Sequence, residues 1–415
     1  VTTTATYTNA SGQYTFYVQN AGTFALIPVF EHPYFLVSPG TPVLNFDAID
    51  GTNQVQDFFI TPIGIHNDVT MTLIPVDDAR PGFDSNYRLV YKNNGNQVIS
   101  GNITLTFNDG ASDLVSASPS VSNQFFNTLI WNYNTLYPLE SRSIDFTLNL
   151  NSPQESPAVN NGDLLYFDAV INPVLGDETL ADNTFRLIQT VVGSYDPNDK
   201  TCLEGDFINV EKVGEYLHYV IRFQNSGTAA AENIVVRDMI DTEKYDIGSL
   251  QLVGSSHPHA TRITGNKVEF IFDGIHLPAE TNNEPASHGF VAFKIKTKNT
   301  LAVGESVTNT AGIYFDYNFP IVTEPATSTF QLLQRDQFED ASIAVHPNPV
   351  KDRLTVSAAD KITSIQLYDL QGRLIETALQ SEKKVIFDLT KNSAGLYFVK
   401  ISTEKGTKTQ KIIKE

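Results

Sequence analysis

The chain has 415 residues, 41% hydrophobic and 18% charged, which is enough apolar content to bury cores and excludes wholesale disorder. Its 28 Lys and Arg against 47 Asp and Glu leave a formal charge of −19, which argues against a nucleic-acid or anionic-membrane surface. A single cysteine, Cys202, rules out an internal disulfide and a Cys-based zinc site, and no apolar run is long enough to span a membrane as a helix.

At roughly 150 residues per domain, this length suggests about three domains. Helical periodicity is almost absent, whereas period-two alternation recurs with turn signals every 8–12 residues, so the expected fold is all-β. The expected architecture is tandem Ig-like β-sandwiches in series, ending in a small seven-stranded β-sandwich. The chain opens at Val1 inside an alternating pattern, without a start Met or a signal peptide, and reads as the C-terminal piece of a longer precursor. Residues 1–62 form the remainder of a smaller β domain.

Internal repetition organises the middle. Tyr87-Arg-Leu-Val-Tyr-Lys-Asn-Asn-Gly lines up with Tyr219-Val-Ile-Arg-Phe-Gln-Asn-Ser-Gly, and Asn102-Ile-Thr-Leu with Asn233-Ile-Val-Val after a one-residue slip. Tyr166-Phe-Asp echoes Tyr314-Phe-Asp, and each copy closes on a Thr-Phe strand at Thr184-Phe185 and Thr329-Phe330. Two related sandwiches, 63–192 and 193–331, are expected. Their Asn-x-Gly turns read as scaffold, with Gly supplying positive φ. Asp168, Asp182, Asn183 and Asp316 are expected to close loops at the sandwich ends.

The joint between the copies reads Asp196-Pro-Asn-Asp199. Asp196, Asn198 and Asp199 crowd oxygen ligands as calcium requires, although calcium takes six to eight oxygens and only three such side chains are local. The same tetrapeptide fits a type I turn, and both readings stand. Apart from this calcium, no cofactor is indicated. His257 and His259 could present two imidazoles, but no third zinc ligand lies nearby. Cys202 reads as a small buried hydrophobe. Trp131, with Tyr133 and Tyr137, fits either a sandwich core or a sugar-stacking platform. No nucleophile-elbow, phosphate-loop or zinc-protease pattern occurs, so no catalytic residue is expected and the protein is read as a non-enzyme.

After a linker at 332–341, residues 342–415 change character. Residues 335–415 hold 13 Lys and Arg against 11 Asp and Glu, so this end is near neutral on an acidic chain. His346-Pro-Asn-Pro-Val leads, with Pro347 and Pro349 expected to force an extended lead-in to the first strand around Asn348. Tyr368-Asp369-Leu-Gln-Gly372-Arg373 reads as a hairpin turn, and Gly395-Leu-Tyr397-Phe-Val-Lys400 opens a later strand. The chain finishes Lys411-Ile412-Ile413-Lys414-Glu. Lysines recurring every third residue around the two isoleucines could guide a basic strand into an acidic receptor, with the Ile pair adding apolar contact; they could equally blunt an exposed edge strand.

Order, spacing and placement of these three motifs resemble the type A C-terminal sorting domain of type IX secretion in the Bacteroidetes group. The two central domains resemble Ig-like repeat modules of bacterial surface proteins. Thr8-Asn-Ala-Ser-Gly-Gln-Tyr-Thr-Phe-Tyr-Val and Ala21-Gly-Thr-Phe-Ala-Leu resemble later strands of a carboxypeptidase-regulatory-like domain. The sorting-domain resemblance implies passage through the periplasm and across the outer membrane to the surface or medium. It also implies capture by an outer-membrane carrier β-barrel, removal by a surface sortase-like protease, and attachment of cargo to lipopolysaccharide. The combined expectation is a stalk or spacer with a sorting signal. The alternatives are an adhesin whose central sandwiches bind glycan or protein, and the C-terminal part of a secreted enzyme.

Overall fold

The computed structural model describes residues 4–9, 11–30, 33–193, 197–332, 342–368, 374–379, 382–403 and 407–415. They fall into two compact units, Val1–Leu332 and Leu333–Glu415. The described residues are all-β: apart from two short 3-10 turns, every regular element is a strand, and no helix is long and apolar enough to cross a membrane.

In the larger unit the alternation of the sequence becomes two-faced sheets, because successive side chains of a strand point to opposite sides. Along Ser141–Leu150, for example, Ile144, Phe146, Leu148 and Leu150 face inward. The first sandwich stacks a five-stranded sheet on a four-stranded one. The five run in the order Asn123–Phe125, Thr128–Leu136, Ile99–Thr106, Leu164–Asn172, Thr184–Thr190. The four run Val69–Pro75, Asp84–Asn93, Ser141–Leu150, Ser112–Ser118. Leu73, Leu89, Ile103, Trp131, Phe146 and Phe167 fill the space between them.

The second sandwich repeats this plan. One sheet runs Thr4–Thr6, Ala260–Thr264, Lys267–Phe272, Ile234–Met239, Ala311–Phe315, Ile321–Val322. Facing it are the sheet Lys200–Cys202, Tyr216–Gln224, His288–Thr297, Tyr245–Ser255 and a three-stranded sheet Phe207–Asn209, Ala326–Gln331, Ser306–Asn309. The outer strand Thr4–Thr6 comes from the far N-terminus, with Thr4 opposite Thr264 and Thr6 opposite Arg262. The opening residues therefore complete the second sandwich rather than the small domain read at 1–62. The rest of that segment forms two short antiparallel pairs, Gly22–Ala25 with Val43–Phe46 and Phe35–Ser38 with Phe59–Pro62.

The repeated Asn-x-Gly turn is scaffold, for a different reason than positive φ. Neither Gly95 nor Gly227 lies in the left-handed region. Asn93 and Asn225 hold the turns: each amide donates to two backbone carbonyls (Gln97 and Leu136; Ala229 and Leu277) and accepts from the glycine N–H two residues on. Gly95 is needed because backbone passes close by; a Cβ there would sit 2.5 Å from the His66 carbonyl oxygen and 2.7 Å from the Asp68 nitrogen. Asp168 also departs from expectation. It lies mid-strand and takes a two-pronged bond from Arg186 at 2.6 and 2.9 Å, a cross-strand pair rather than a loop closure.

The two sandwiches meet in a mixed apolar and ionic junction. Leu203, Val220, Phe290 and Ala292 of the second pack into the core cluster of the first. Arg88 reaches from the first sandwich to the Ser255 carbonyl at 2.9 Å and lies over the Phe290 ring. Arg222 returns the contact, bridging Asp199 in its own sandwich at 2.5 Å and Asp78 in the first at 2.8 Å.

Candidate recognition face of the C-terminal unit

The smaller unit is a two-sheet sandwich. Ala344–His346, Arg353–Ser357 and Lys384–Asp388 form one sheet; Leu374–Leu379, Ile362–Tyr368, Gly395–Thr403 and Thr407–Lys414 form the other in that order. Its core contains Leu354, Ile365, Leu367, Phe387, Val399, Ile401 and Ile412.

Pro347 and Pro349 do not lead into the first strand. They follow Ala344–His346 and turn the chain toward the C-terminal strand. There Asn348 donates to the Lys411 carbonyl and accepts from the Ile413 N–H, both at 2.9 Å, and the Val350 N–H donates to the Ile413 carbonyl at 2.7 Å. The first and last motifs of the unit thus clasp each other. Sequence reasoning missed this link, because nothing in the spacing of two motifs over sixty residues apart records which backbone groups will be neighbours.

Strand alternation sorts the terminal residues. Ile412 is fully buried and so offers no apolar contact to a receptor, while Ile413 remains 43% exposed. Lys414 is also tucked in, its Nζ donating to the Glu415 carbonyl at 2.8 Å. Lys408 bonds the Ile343 carbonyl at 2.8 Å, and Lys405 lies outside the described residues. Register then gathers one outer face. Tyr368 pairs with Phe398, Phe398 with Lys411, Leu396 with Ile413, and Lys400 with Thr409. Lys400 and Lys411 are exposed, so this face is a partly apolar patch rimmed by cations. Tyr397 points the other way and donates to the Ser393 carbonyl at 2.8 Å; Gly395 pairs with Lys414. Asp369, Gly372 and Arg373 lie outside the described residues.

Residues 344–415 match the family described as Secretion system C-terminal sorting domain. The C-terminal unit is a type IX sorting domain. The protein is accordingly exported across the outer membrane to the surface or medium, and its sorting domain engages the type IX machinery. Residues 196–329, the second sandwich, match a family described as Domain of unknown function (DUF7619). No curated protein sequence matches the chain. Solved structures similar at a distance include a biofilm-associated protein BSP domain (11% identity, 88% of this chain and 83% of that one, TM-score 0.28). Two others are a collagen adhesin from S. aureus (13%, 64% and 92%, 0.22) and the major pilin SpaA of Corynebacterium diphtheriae (11%, 83% and 91%, 0.25).

The other candidate residues are mostly structural. Asp199 gives both carboxylate oxygens to Arg222, and the Asn198 side chain accepts from the Gln224 N–H at 3.3 Å. Asp199 thus serves the inter-sandwich clamp through Arg222, and Asn198 holds backbone of its own sandwich; Asp196 lies outside the described residues. A different acidic group forms at the foot of the first sandwich, where Asp68, Asp177 and Asp182 bring carboxylate oxygens within 4.8 Å of one another. Burial, followed by the Asp68 charge, pushes Asp182 up to about 7. Trp131 is in the core, its indole N–H on the Pro119 carbonyl at 3.1 Å, and Tyr133 is buried with its hydroxyl on the Asn172 carbonyl at 2.6 Å. The sugar-platform reading loses both; of that group only Tyr137 is exposed. His257 and His259 bond Ser256 and Ser255, and burial lowers the pKa of each. Cys202 is buried, which pushes its thiol pKa up and leaves it a packing residue.

Proposed function

We propose that the chain is a non-enzymatic spacer of a surface or secreted protein, delivered by its terminal sorting domain. The observation that carries this reading is the outer face of Tyr368, Leu396, Phe398, Lys400, Lys411 and Ile413 on a sorting domain. A partly apolar patch with a cationic rim suits an acidic mouth of an outer-membrane carrier β-barrel, where complementary charge speeds and orients docking. Removal by a sortase-like protease, with transfer of the cargo to lipopolysaccharide, would follow at the surface. The two sandwiches support the spacer half: a shared apolar junction and reciprocal arginine contacts resist bending between them.

Charge reversal at Lys400→Glu and Lys411→Glu together tests the face. Both side chains are exposed, so the unit should keep its melting temperature while export falls at least tenfold, with the chain accumulating in the periplasm. Normal export of the folded double variant would remove the face from recognition and return Lys411, on the outer strand, to edge protection.

A further inference from the structure

The core of the second sandwich holds three polar side chains that the spacer reading does not use. Lys200, Asp238 and Asn309 stand on the strands Lys200–Cys202, Ile234–Met239 and Ser306–Asn309, one from each of its three sheets. The side chains of Lys200 and Asp238 have no solvent exposure, and Asn309 is 3% exposed. Lys200 Nζ and Asn309 Nδ2 meet on the same atom, Asp238 Oδ2, the lysine in direct contact and the amide at 3.3 Å. Tyr219 and Phe293 wall the group, with ring centroids 5.1 and 5.3 Å from Nζ.

The first sandwich shows that the fold does not require charge here. Leu89 and Ile221 are the same position of the repeat; Leu89 pairs with Leu73, and Ile221 pairs with Lys200. Likewise, Phe107 follows Asn102-Ile-Thr-Leu at the distance at which Asp238 follows Asn233-Ile-Val-Val. Leu73 and Phe107 are both buried apolar core residues. Burying an ion pair instead of such residues is commonly neutral or destabilising, so the triad calls for a reason other than packing.

We propose that Lys200 Nζ and Asn309 Cγ become joined by an intramolecular amide bond, with Asp238 relaying the proton. The lysine nitrogen attacks the amide carbon, forming Nζ–Cγ; the Cγ–Nδ2 bond breaks and ammonia leaves. Asp238 hands its proton to the departing Nδ2 and takes one back from Nζ, ending as it began, so no oxidant or other reactant is needed. Its Oδ2 already touches the attacking and the leaving nitrogen, which is the position a proton carrier must hold. Burial lowers the lysine pKa and raises that of the aspartic acid, favouring the neutral amine that attacks and the protonated acid that donates. Asn309 rather than Asp238 is the electrophile because Asp238 is the group shared by both nitrogens. The product would tie the first strand of the sandwich to a strand near its end, so that a pull on the chain bypasses residues 201–308.

Intact-mass measurement of the purified, folded 415-residue chain tests this directly. The chain should be lighter than its sequence by one ammonia, and a tryptic fragment should join Lys200 to Asn309. Asp238→Ala, which keeps both reacting residues, should restore the full mass. Three results would overturn the proposal: an unchanged mass in the folded wild-type chain, loss of one water with Lys200 joined to Asp238, or ammonia loss mapped to an Asn-Gly step instead. The wild-type mass and fragment map decide the matter even if a variant fails to fold.

Discussion

Among single residues, Asp182 makes the sharpest demand on the solvent. Thr70, Lys294, Asp68 and Asp177 are its polar surroundings, and burial beside the two other carboxylates raises it from 3.8 to about 7. The folded state therefore holds a proton that the unfolded chain releases near pH 3.8, so this group's stability contribution is present at low pH and is lost as pH rises through about 7. Replacing it with Asn should stabilise the larger unit at pH 8 relative to wild type and leave the two alike below pH 4. Chemical denaturation at a series of pH values measures this; a constant difference across the range would remove the titration. That acidic residues fall near 182 was legible, but their company was not. Asp68 lies over a hundred residues away in sequence, and only the return of the chain to the foot of the sandwich brings it alongside. The same holds for Gly95: its turn could be read, whereas the passing backbone of His66 and Asp68 that excludes a Cβ could not.

Among elements, the terminal strand Thr407–Lys414 divides its labour by face. Ile412 packs in the core opposite Tyr397, whereas Lys411 and Ile413 look outward. Ile412→Ala should cost the C-terminal unit about 2–5 kcal/mol, as large-to-small changes in a core do. Thermal melts of the two variants should separate the roles: Ile412→Ala lowers the unit's melting temperature, and Lys411→Glu leaves it in place. Equal destabilisation by both would mean the lysine is structural. Strand periodicity was readable here, and so was the basic edge, but the facing of Ile412 was not. A two-residue Ile-Ile step must place one side chain on each face, and the sequence does not say which faces the core. Pro347 and Pro349 could be read as extended backbone, yet their place after a strand rather than before one follows from the clasp by Asn348.

At the scale of the whole molecule, the repeat carried the most information. Matching Tyr87 with Tyr219 and Asn93 with Asn225 already located two copies of one sandwich, because the same strand and turn recur in register. The junction between the copies was hidden. Arg88 and Arg222 are ordinary strand residues in sequence, and their crossing contacts to Ser255 and Asp78 exist only once both sandwiches have folded. The N-terminal strand Thr4–Thr6 was hidden for the same reason, since its partner Ala260–Thr264 is some 250 residues on. An acidic pair of sandwiches is thus the cargo, and a near-neutral terminal domain is its address. The most direct test compares surface delivery of the full chain and of a chain ending at Leu332, in a type IX-competent strain with both versions targeted to the periplasm. The full chain should reach the surface or medium, and the shortened one should stay folded in the periplasm. Equal delivery of the chain ending at Leu332 would contradict this and place the address within the sandwiches.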